Sequence, residues 1–284
     1  MKSINSIGIT GLGYAVGSGV RGNKDPIFKW LDNHNVANKD LFAGYKDRAV
    51  LQDGESLESM MVSAATAALA NANVNADEID TLTGYASISK YLVPNGLAAV
   101  HQQLGMSDNC WVLPVQAEYT NYLAGIRIAN AMIASGSAKK VLVVCGCNWT
   151  QHVDYHQAAS LSVGDGACAA VISETRDTGK FSLLDSATLC ATKWYGAMDM
   201  SPRELLPAQA NVRLGAYTKA LFNLDAKRGG EAFNEFGKNA PPELALKLIK
   251  DNGLTPSEVT VISHQASSVL LNYWKDKINP KQYL

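Results

Sequence analysis

Short runs of consecutive apolar residues alternate along this chain with longer stretches in which apolar and small residues recur every three to four positions. The runs at 7–9, 111–115, 141–145 and 259–262 are too short for helices and show little polar alternation, so they predict buried strands. The stretches 57–72 and 122–134 predict helices with wide apolar faces. Strands alternating with helices imply an α/β layered fold. The mixed segment 181–237, with turn formers at Met200-Ser201-Pro202 and Arg228-Gly229-Gly230, reads as a cap or connection ahead of the last helix.

The chain also repeats itself. At an offset of 180 residues, 73–87 falls on 253–267: Glu78 meets Glu258, Ala86 meets Ala266 and Ser87 meets Ser267. Val74 and Leu254, Ile79 and Val259, and Leu82 and Ile262 keep the apolar rhythm between them. Both copies leave a helix, pass a polar turn containing a glutamate and enter a strand. That order predicts a duplicated fold whose equivalent sites face each other near the middle.

Composition and charge narrow the ligand class. With 284 residues, 47% of them apolar, the chain can bury one large core or two half-sized ones. The formal net charge is −1 and the charged residues are spread evenly, so there is no basic footprint for nucleic acid or an anionic membrane. Small molecules or proteins are the expected ligands. The first residues lack the apolar core of a signal peptide, and no apolar run approaches the about 18 residues of a membrane span, which predicts a cytoplasmic protein. Of five cysteines, Cys110, Cys145, Cys147 and Cys168 lie in or beside apolar stretches and read as reduced, buried thiols; the fifth is Cys190. Cys145-Gly146-Cys147 is too tight for a zinc knuckle, and neither metal nor cofactor is expected.

Six stretches run in a fixed order from about residue 7 to 270. They are Gly11-Leu12-Gly13-Tyr14, Val20-Arg21-Gly22-Asn23, Ala76-Asp77-Glu78-Ile79-Asp80, Ala134-Ser135-Gly136 ahead of 141–144, Gly164-Asp165-Gly166-Ala167, and His264-Gln265-Ala266. Gly11 and Gly13 alone suit a dinucleotide loop, but the third glycine comes one residue late at Gly17 and no helix pattern follows. As an ordered set the stretches resemble the thiolase superfamily, and within it the ketoacyl-ACP synthase III branch. The resemblance implies an α/β thiolase fold of two similar βαβαβ-type halves in a layered αβαβα arrangement. The halves would be residues 1–173 and 174–284, the second lacking its C-terminal strands. It further implies an acyl thioester ligand, acyl-CoA or acyl carrier protein, and a homodimer or a heterodimer with a related ketosynthase.

In that family a cysteine nucleophile sits where a strand runs into a helix, whose free N–H groups favour the thiolate. Counting back without gaps from Ser135-Gly136 and Val141 puts Tyr119 at its place, and a slip of one residue puts Glu118 or Thr120 there. A phenol with an ordinary pKa of about 10 is a poor nucleophile at neutral pH. Its ring would also compete with an acyl chain; alternatively Tyr119 simply fills the emptied site and hydrogen-bonds at its hydroxyl. His264, just past the run 259–262, matches the histidine that donates to the thioester oxygen and stabilises the enolate formed on decarboxylation. Leu92 and Val93 match a loop that reaches across the dimer to line the partner's acyl pocket, and Glu118 is a further substrate-pocket candidate. The family's tryptophan and arginine for the CoA adenine and phosphates are unmatched, with Asn38 and Phe42 near their places. The asparagine that pairs with the histidine is not found before Leu284. Gly164-Asp165-Gly166 reads as an architectural turn. Together these losses imply a non-catalytic subunit of fatty-acid or polyketide metabolism. The alternative is an active condensing enzyme carrying a substituted nucleophile.

Overall fold

The computed structural model describes residues 6–91, 93–175, 181–204 and 218–284. Its strands are β1 (Ser6–Val16), β2 (Gly19–Gly22), β3 (Asp47–Val50), β4 (Thr81–Ala86), β5 (Trp111–Pro114), β6 (Lys140–Asn148), β7 (Asp165–Thr175), β8 (Phe181–Ser182), β9 (Met198–Glu204), β10 (Thr218–Leu224), β11 (Thr260–Val261) and β12 (Gln282–Tyr283). The helices are α1 (Lys29–Asn33), α2 (Leu57–Ala72), α3 (Leu97–Gln103), α4 (Asn121–Ala134), α5 (Arg228–Ala232), α6 (Ala240–Asp251) and α7 (Ser268–Ile278). The chain forms two compact units. One contains Met1–Val20, Ala49–Asn148 and Gly164–Leu184; the other contains Arg21–Arg48, Trp149–Val163 and Asp185–Leu284.

The first unit is built on a six-stranded sheet of order β5-β4-β6-β7-β1-β8. β4 pairs in parallel with both β5 and β6, whereas β7 runs antiparallel to β6 and β1. Alternate residues of the central strands serve opposite faces. Leu142, Val144, Ala169 and Val171 pack with Met61, Ala64, Ala65 and Ala68 of α2 and with Leu97 and Val100 of α3. Val141, Val143, Ala170 and Ile172 pack with Ile126, Ala129 and Ile133 of α4 on the other face. This explains why residues 141–144 read as an unbroken apolar run. Each large side chain buried there, such as Leu82, Leu142 or Ile172, contributes roughly 1.5–3 kcal/mol.

Gly11 and Gly13 lie within β1 rather than in a loop. A Cβ on Gly13 would stand 2.2 Å from the Ala64 carbonyl oxygen, and one on Gly11 would stand 2.4 Å from that of Ala68. The two glycines let α2 lie directly on the strand, which removes the dinucleotide-loop reading on structural grounds. Asp165 also departs from the expected tight turn. It opens β7, buried, with its carboxylate accepting the Leu51 N–H at 2.8 Å and its carbonyl accepting the Gly17 N–H at 3.2 Å.

In the second unit, Val153, Ala159, Val163 and Phe222 form a small core with Phe42, Trp149, Tyr155, Met200 and Leu224, and β9 pairs antiparallel with β10. α6 packs on α7, whose Trp274 indole N–H donates to the Gly237 and Lys238 carbonyls at 3.0 and 3.1 Å. The segment 233–237 is a π-helical turn, and such a turn leaves carbonyls open to outside donors.

The predicted echo is visible as geometry within each unit. Asn73 ends α2 in the left-handed region at φ 55°, and Gly253, following α6, has φ 69°. Next, Glu78 accepts the Asn75 N–H at 2.9 Å and Glu258 accepts the Thr255 N–H at 2.7 Å, each closing a capping box on a 3₁₀ turn. β4 then pairs in parallel with β5 through α3, as β11 pairs in parallel with β12 through α7. One expectation fails in part. The run 259–262 forms a strand only at Thr260 and Val261, and Ile262 is 79% exposed. β4 is flanked on both sides, whereas β11 has β12 as its one strand partner among the described residues, so its apolar run is not enclosed.

Candidate active site

Local bonds build the junction that follows β5. The Val115 N–H donates to the Gly84 carbonyl at 2.8 Å, carrying the pairing with β4 one residue past the strand. The Asn121 side-chain oxygen accepts the Ala117 N–H, and the N–H and hydroxyl of Thr120 both return to the Ala117 carbonyl, at 3.0 and 2.8 Å. These bonds wind 118–120 into one 3₁₀ turn that leads directly into α4. Tyr119 rides on that turn with 54% of its surface exposed. Glu118 and Thr120 share it, and the side chain of Glu118 lies outside the described part of the structure.

The sheet face toward α4 carries three thiols near this junction. Cys145 and Cys147 continue the line of Val141 and Val143 along β6, and Cys168 stands opposite Cys145 on β7. Burial pushes the Cys145 thiol up to about 12 and the Cys168 thiol up to about 11, with the neighbouring thiols adding to the effect. Burial likewise raises Cys147, whose Sγ donates to the Gly164 carbonyl at 3.6 Å, and Cys110 at the far end of β5. Tyr122, in the first turn of α4, is raised by burial and by Cys168 and Cys145 beside it. The thiolate is the nucleophilic form of cysteine, so the raised values disfavour it at all four; Cys110 is buried as the sequence pattern predicts, whereas Cys145, Cys147 and Cys168 are only partly buried.

His264 follows β11 in the second unit. Its backbone carbonyl accepts the Ala266 N–H at 2.8 Å, and the next residues are pinned to the loop 43–45. The Ser268 N–H donates to the Ala43 carbonyl at 3.0 Å, and the Tyr45 hydroxyl donates to the Gln265 carbonyl at 3.4 Å. His264 is exposed, yet the protein around it desolvates the imidazole enough to lower its pKa from the ordinary value. It is therefore neutral at pH 7 and able to donate from one ring nitrogen.

The remaining candidates lie on the first unit's surface or beyond description. Val93 is 86% exposed in the loop before α3, and Leu92 lies outside the described residues. Among the described residues, no group of three or more histidine, cysteine, aspartate and glutamate side chains is placed to hold a metal ion, and no helix is long and apolar enough to cross a membrane.

The 3-oxoacyl-[acyl-carrier-protein] synthase III from Aquifex aeolicus VF5 superposes with a TM-score of 0.72 at 23% identity, over 98% of this chain and 83% of that one. The priming β-ketosynthase of the R1128 polyketide biosynthetic pathway gives 0.77 at 21% identity, over 97% and 79%. The mixed sheet between helices and the twice-used helix, capped turn and strand are thus those of the thiolase fold.

Sequence carries the likeness further. Residues 114–191, which include the Tyr119 junction and β6 to β8, match the family model for 3-oxoacyl-[acyl-carrier-protein (ACP)] synthase III. The β-ketoacyl-[acyl-carrier-protein] synthase III of Thiobacillus denitrificans is 26% identical over 237 residues, 83% of this chain and 70% of the relative. That of Neisseria gonorrhoeae is 31% identical over 137 residues, 48% and 43%. The chain thus has the thiolase fold and is similar in sequence to β-ketoacyl-[acyl-carrier-protein] synthases III.

Proposed function

We propose that this chain serves fatty-acid or polyketide-type metabolism as a ketoacyl synthase III-like subunit whose own acyl transfer and decarboxylative Claisen condensation are impaired. The reading rests on Tyr119, which lies on the turn between β5 and α4 and which the count from Ser135-Gly136 aligns with the family's cysteine. A phenol, with an ordinary pKa of about 10, is a poor nucleophile at neutral pH, and its ring is bulkier than a thiol. The thiols nearest the junction are held protonated by burial and do not replace it.

His264 supports a retained binding role. A neutral imidazole at the end of β11 is suited to donate to a thioester oxygen, the interaction that stabilises an enolate. We read residues 1–173 and 174–284 as duplicated halves, each with a capped turn and a parallel strand pair, and Tyr119 and His264 as the candidate catalytic-position residues of the two. Leu92, Val93 and Glu118 are the proposed acyl-pocket residues. The partner is a second copy of this chain or a related active ketosynthase in the cytoplasm, and the ligand is an acyl thioester of CoA or of a carrier protein.

Intact-protein mass spectrometry after incubation with acetyl- and longer acyl-CoA, and with acyl-carrier thioesters, tests the proposal. The expected result is no covalent adduct on the native chain and one acyl group on Tyr119→Cys. A stable acyl adduct on the unmodified chain would favour the active-enzyme alternative and discard the subunit reading.

A further inference from the structure

The chain contains two Asn–Gly pairs, Asn95-Gly96 and Asn252-Gly253. An asparagine before glycine carries a latent reaction, attack of the glycine nitrogen on the asparagine side-chain carbonyl, because no Cβ shields that nitrogen and glycine turns freely. The fold treats the two pairs in opposite ways.

In the first unit Asn95 is locked. Its Oδ1 accepts the N–H groups of Ala86 and Leu97 at 3.3 and 3.2 Å, and its Nδ2 donates to the Ala86 carbonyl at 3.2 Å. The Gly96 N–H is held by the Ser89 hydroxyl at 2.7 Å. Gly96 is itself buried, and a Cβ there would come within 2.9 Å of the Ala86 Cβ, so the peptide has no room to swing into a ring with the Asn95 side chain.

Asn252-Gly253, in the second unit, is the contrary case. Both residues are exposed at the C-terminal end of α6, Gly253 has φ 69°, and a Cβ built on it would meet nothing within 4 Å. The restraints on the pair are exposed hydrogen bonds at a helix end. Asn252 Nδ2 donates to the Leu248 carbonyl at 2.9 Å and to the Asp185 carboxylate at 3.3 Å, and the Gly253 N–H donates to the Lys250 carbonyl at 3.0 Å. Bonds of that kind open at little cost as a last turn frays.

We infer that Asn252 is a site of spontaneous deamidation in the folded protein, whereas Asn95 is protected. The Gly253 nitrogen, its proton taken by hydroxide, bonds to Asn252 Cγ; the Cγ–Nδ2 bond then breaks, and ammonia leaves with a proton from water. A second water opens the five-membered imide at either carbonyl, giving aspartate or isoaspartate, so that amide and water become acid and ammonia. The product places a negative charge at the C-terminal end of α6, where the helix dipole disfavours it, and replaces the two donations of Nδ2 by a carboxylate facing Asp185 and the Leu248 carbonyl. Isoaspartate also adds a carbon to the backbone just ahead of the capped turn that leads into β11. That form is a substrate for carboxyl methyltransferases that recognise isoaspartate and use S-adenosylmethionine. The inference is independent of the roles given to Tyr119 and His264.

Incubation of the full chain at pH 9, sampled by peptide mass spectrometry, tests this, with isoaspartate in the peptide around residue 252 counted separately by enzymatic methyl transfer. Conversion of Asn252 is expected to run at least about tenfold faster than that of Asn95, and to slow as the pH is lowered to 6. In concentrated urea the two rates should come together, which separates the effect of the fold from that of the neighbouring residues. Asn252→Asp reports the new charge alone and is expected to melt about 1–3 °C below the parent. Equal rates at the two pairs in the folded chain, or an unconverted Asn252 there while both convert in urea, overturns the assignment. An Asn252→Asp variant that melts with the parent overturns the destabilising consequence.

Discussion

Replacing Gly13 by alanine should destabilise the protein far more than one added methyl group suggests. The new Cβ would stand 2.2 Å from the Ala64 carbonyl oxygen and 2.4 Å from the Ala68 nitrogen, against 3.4–4 Å for ordinary contact. Both atoms belong to the backbone of α2, so no side chain can rotate away, and the helix must retreat by roughly 1 Å. It cannot do so freely, because Met61, Ala64, Ala65 and Ala68 are fully buried against the sheet. Overpacking of a core typically costs about 1–3 kcal/mol, and a backbone-on-backbone clash belongs at or above the upper end. A loss of about 3 kcal/mol lowers the melting temperature of a domain this size by roughly 6–12 °C. Gly166→Ala is the matched control: its Cβ would meet nothing closer than 3.7 Å, and its backbone is not in the positive-φ region. That variant should melt within about 2 °C of the parent, or slightly above it, since alanine restricts the unfolded chain. Circular-dichroism melts of the two variants side by side make the comparison. Equal melting temperatures would show that β1 and α2 are not in the close register described, and would reopen a loop reading of Gly11 and Gly13.

Two further outcomes follow from charge and protonation. With pKa values of about 12 and about 11, Cys145 and Cys168 are thiolate to only about one part in 10⁴ and 10³ at pH 8, so brief iodoacetamide treatment of the native protein should alkylate exposed Cys190 and spare both, as read by peptide mass spectrometry; rapid labelling of Cys145 would contradict its burial. The Glu258 carboxylate is held below its ordinary value by hydrogen bonds from the Thr255 hydroxyl and N–H, so its contribution is present above the unfolded value of about 4.3 and is lost as pH falls through the lower folded value. The melting-temperature gap between the parent and Glu258→Gln should accordingly shrink from pH 6 to pH 3, and a gap that stays constant would refute the capping role.

What the sequence revealed best was local. The bounds of α2 follow from helical spacing of apolar residues and from Ser56, which caps its first turn by accepting the Ser59 N–H at 3.0 Å. The repeat at Glu78 and Glu258 was legible because a capping box needs only residues three apart. The extent of β11 was not, because whether an apolar run is enclosed depends on strands distant in sequence. Asp165 was misread for the same reason: its partners, Leu51 and Gly17, lie more than a hundred residues away. Tyr119 could be placed by counting from a neighbouring strand. Arg48, in contrast, looks like any surface arginine in Lys46-Asp47-Arg48, and its burial emerges only when Asn23, Phe28 and Leu161 close around it.

The interleaving of the two units has a consequence for how the chain reaches its native state. Ile9 pairs with Ile172, so the sheet at the heart of the first unit cannot close until roughly 160 residues have been gathered between them. Chain-closure entropy for a loop of that length is about 4.5 kcal/mol before any contact offsets it. Two segments caught inside that loop, Arg21–Arg48 and Trp149–Val163, belong to the other unit. No single cut therefore separates one complete unit from the other, and a ribosome must release most of the chain before either can finish. Folding is expected to be slow and late, beginning at short-range devices such as the capped turns and ending with β1 joining β7.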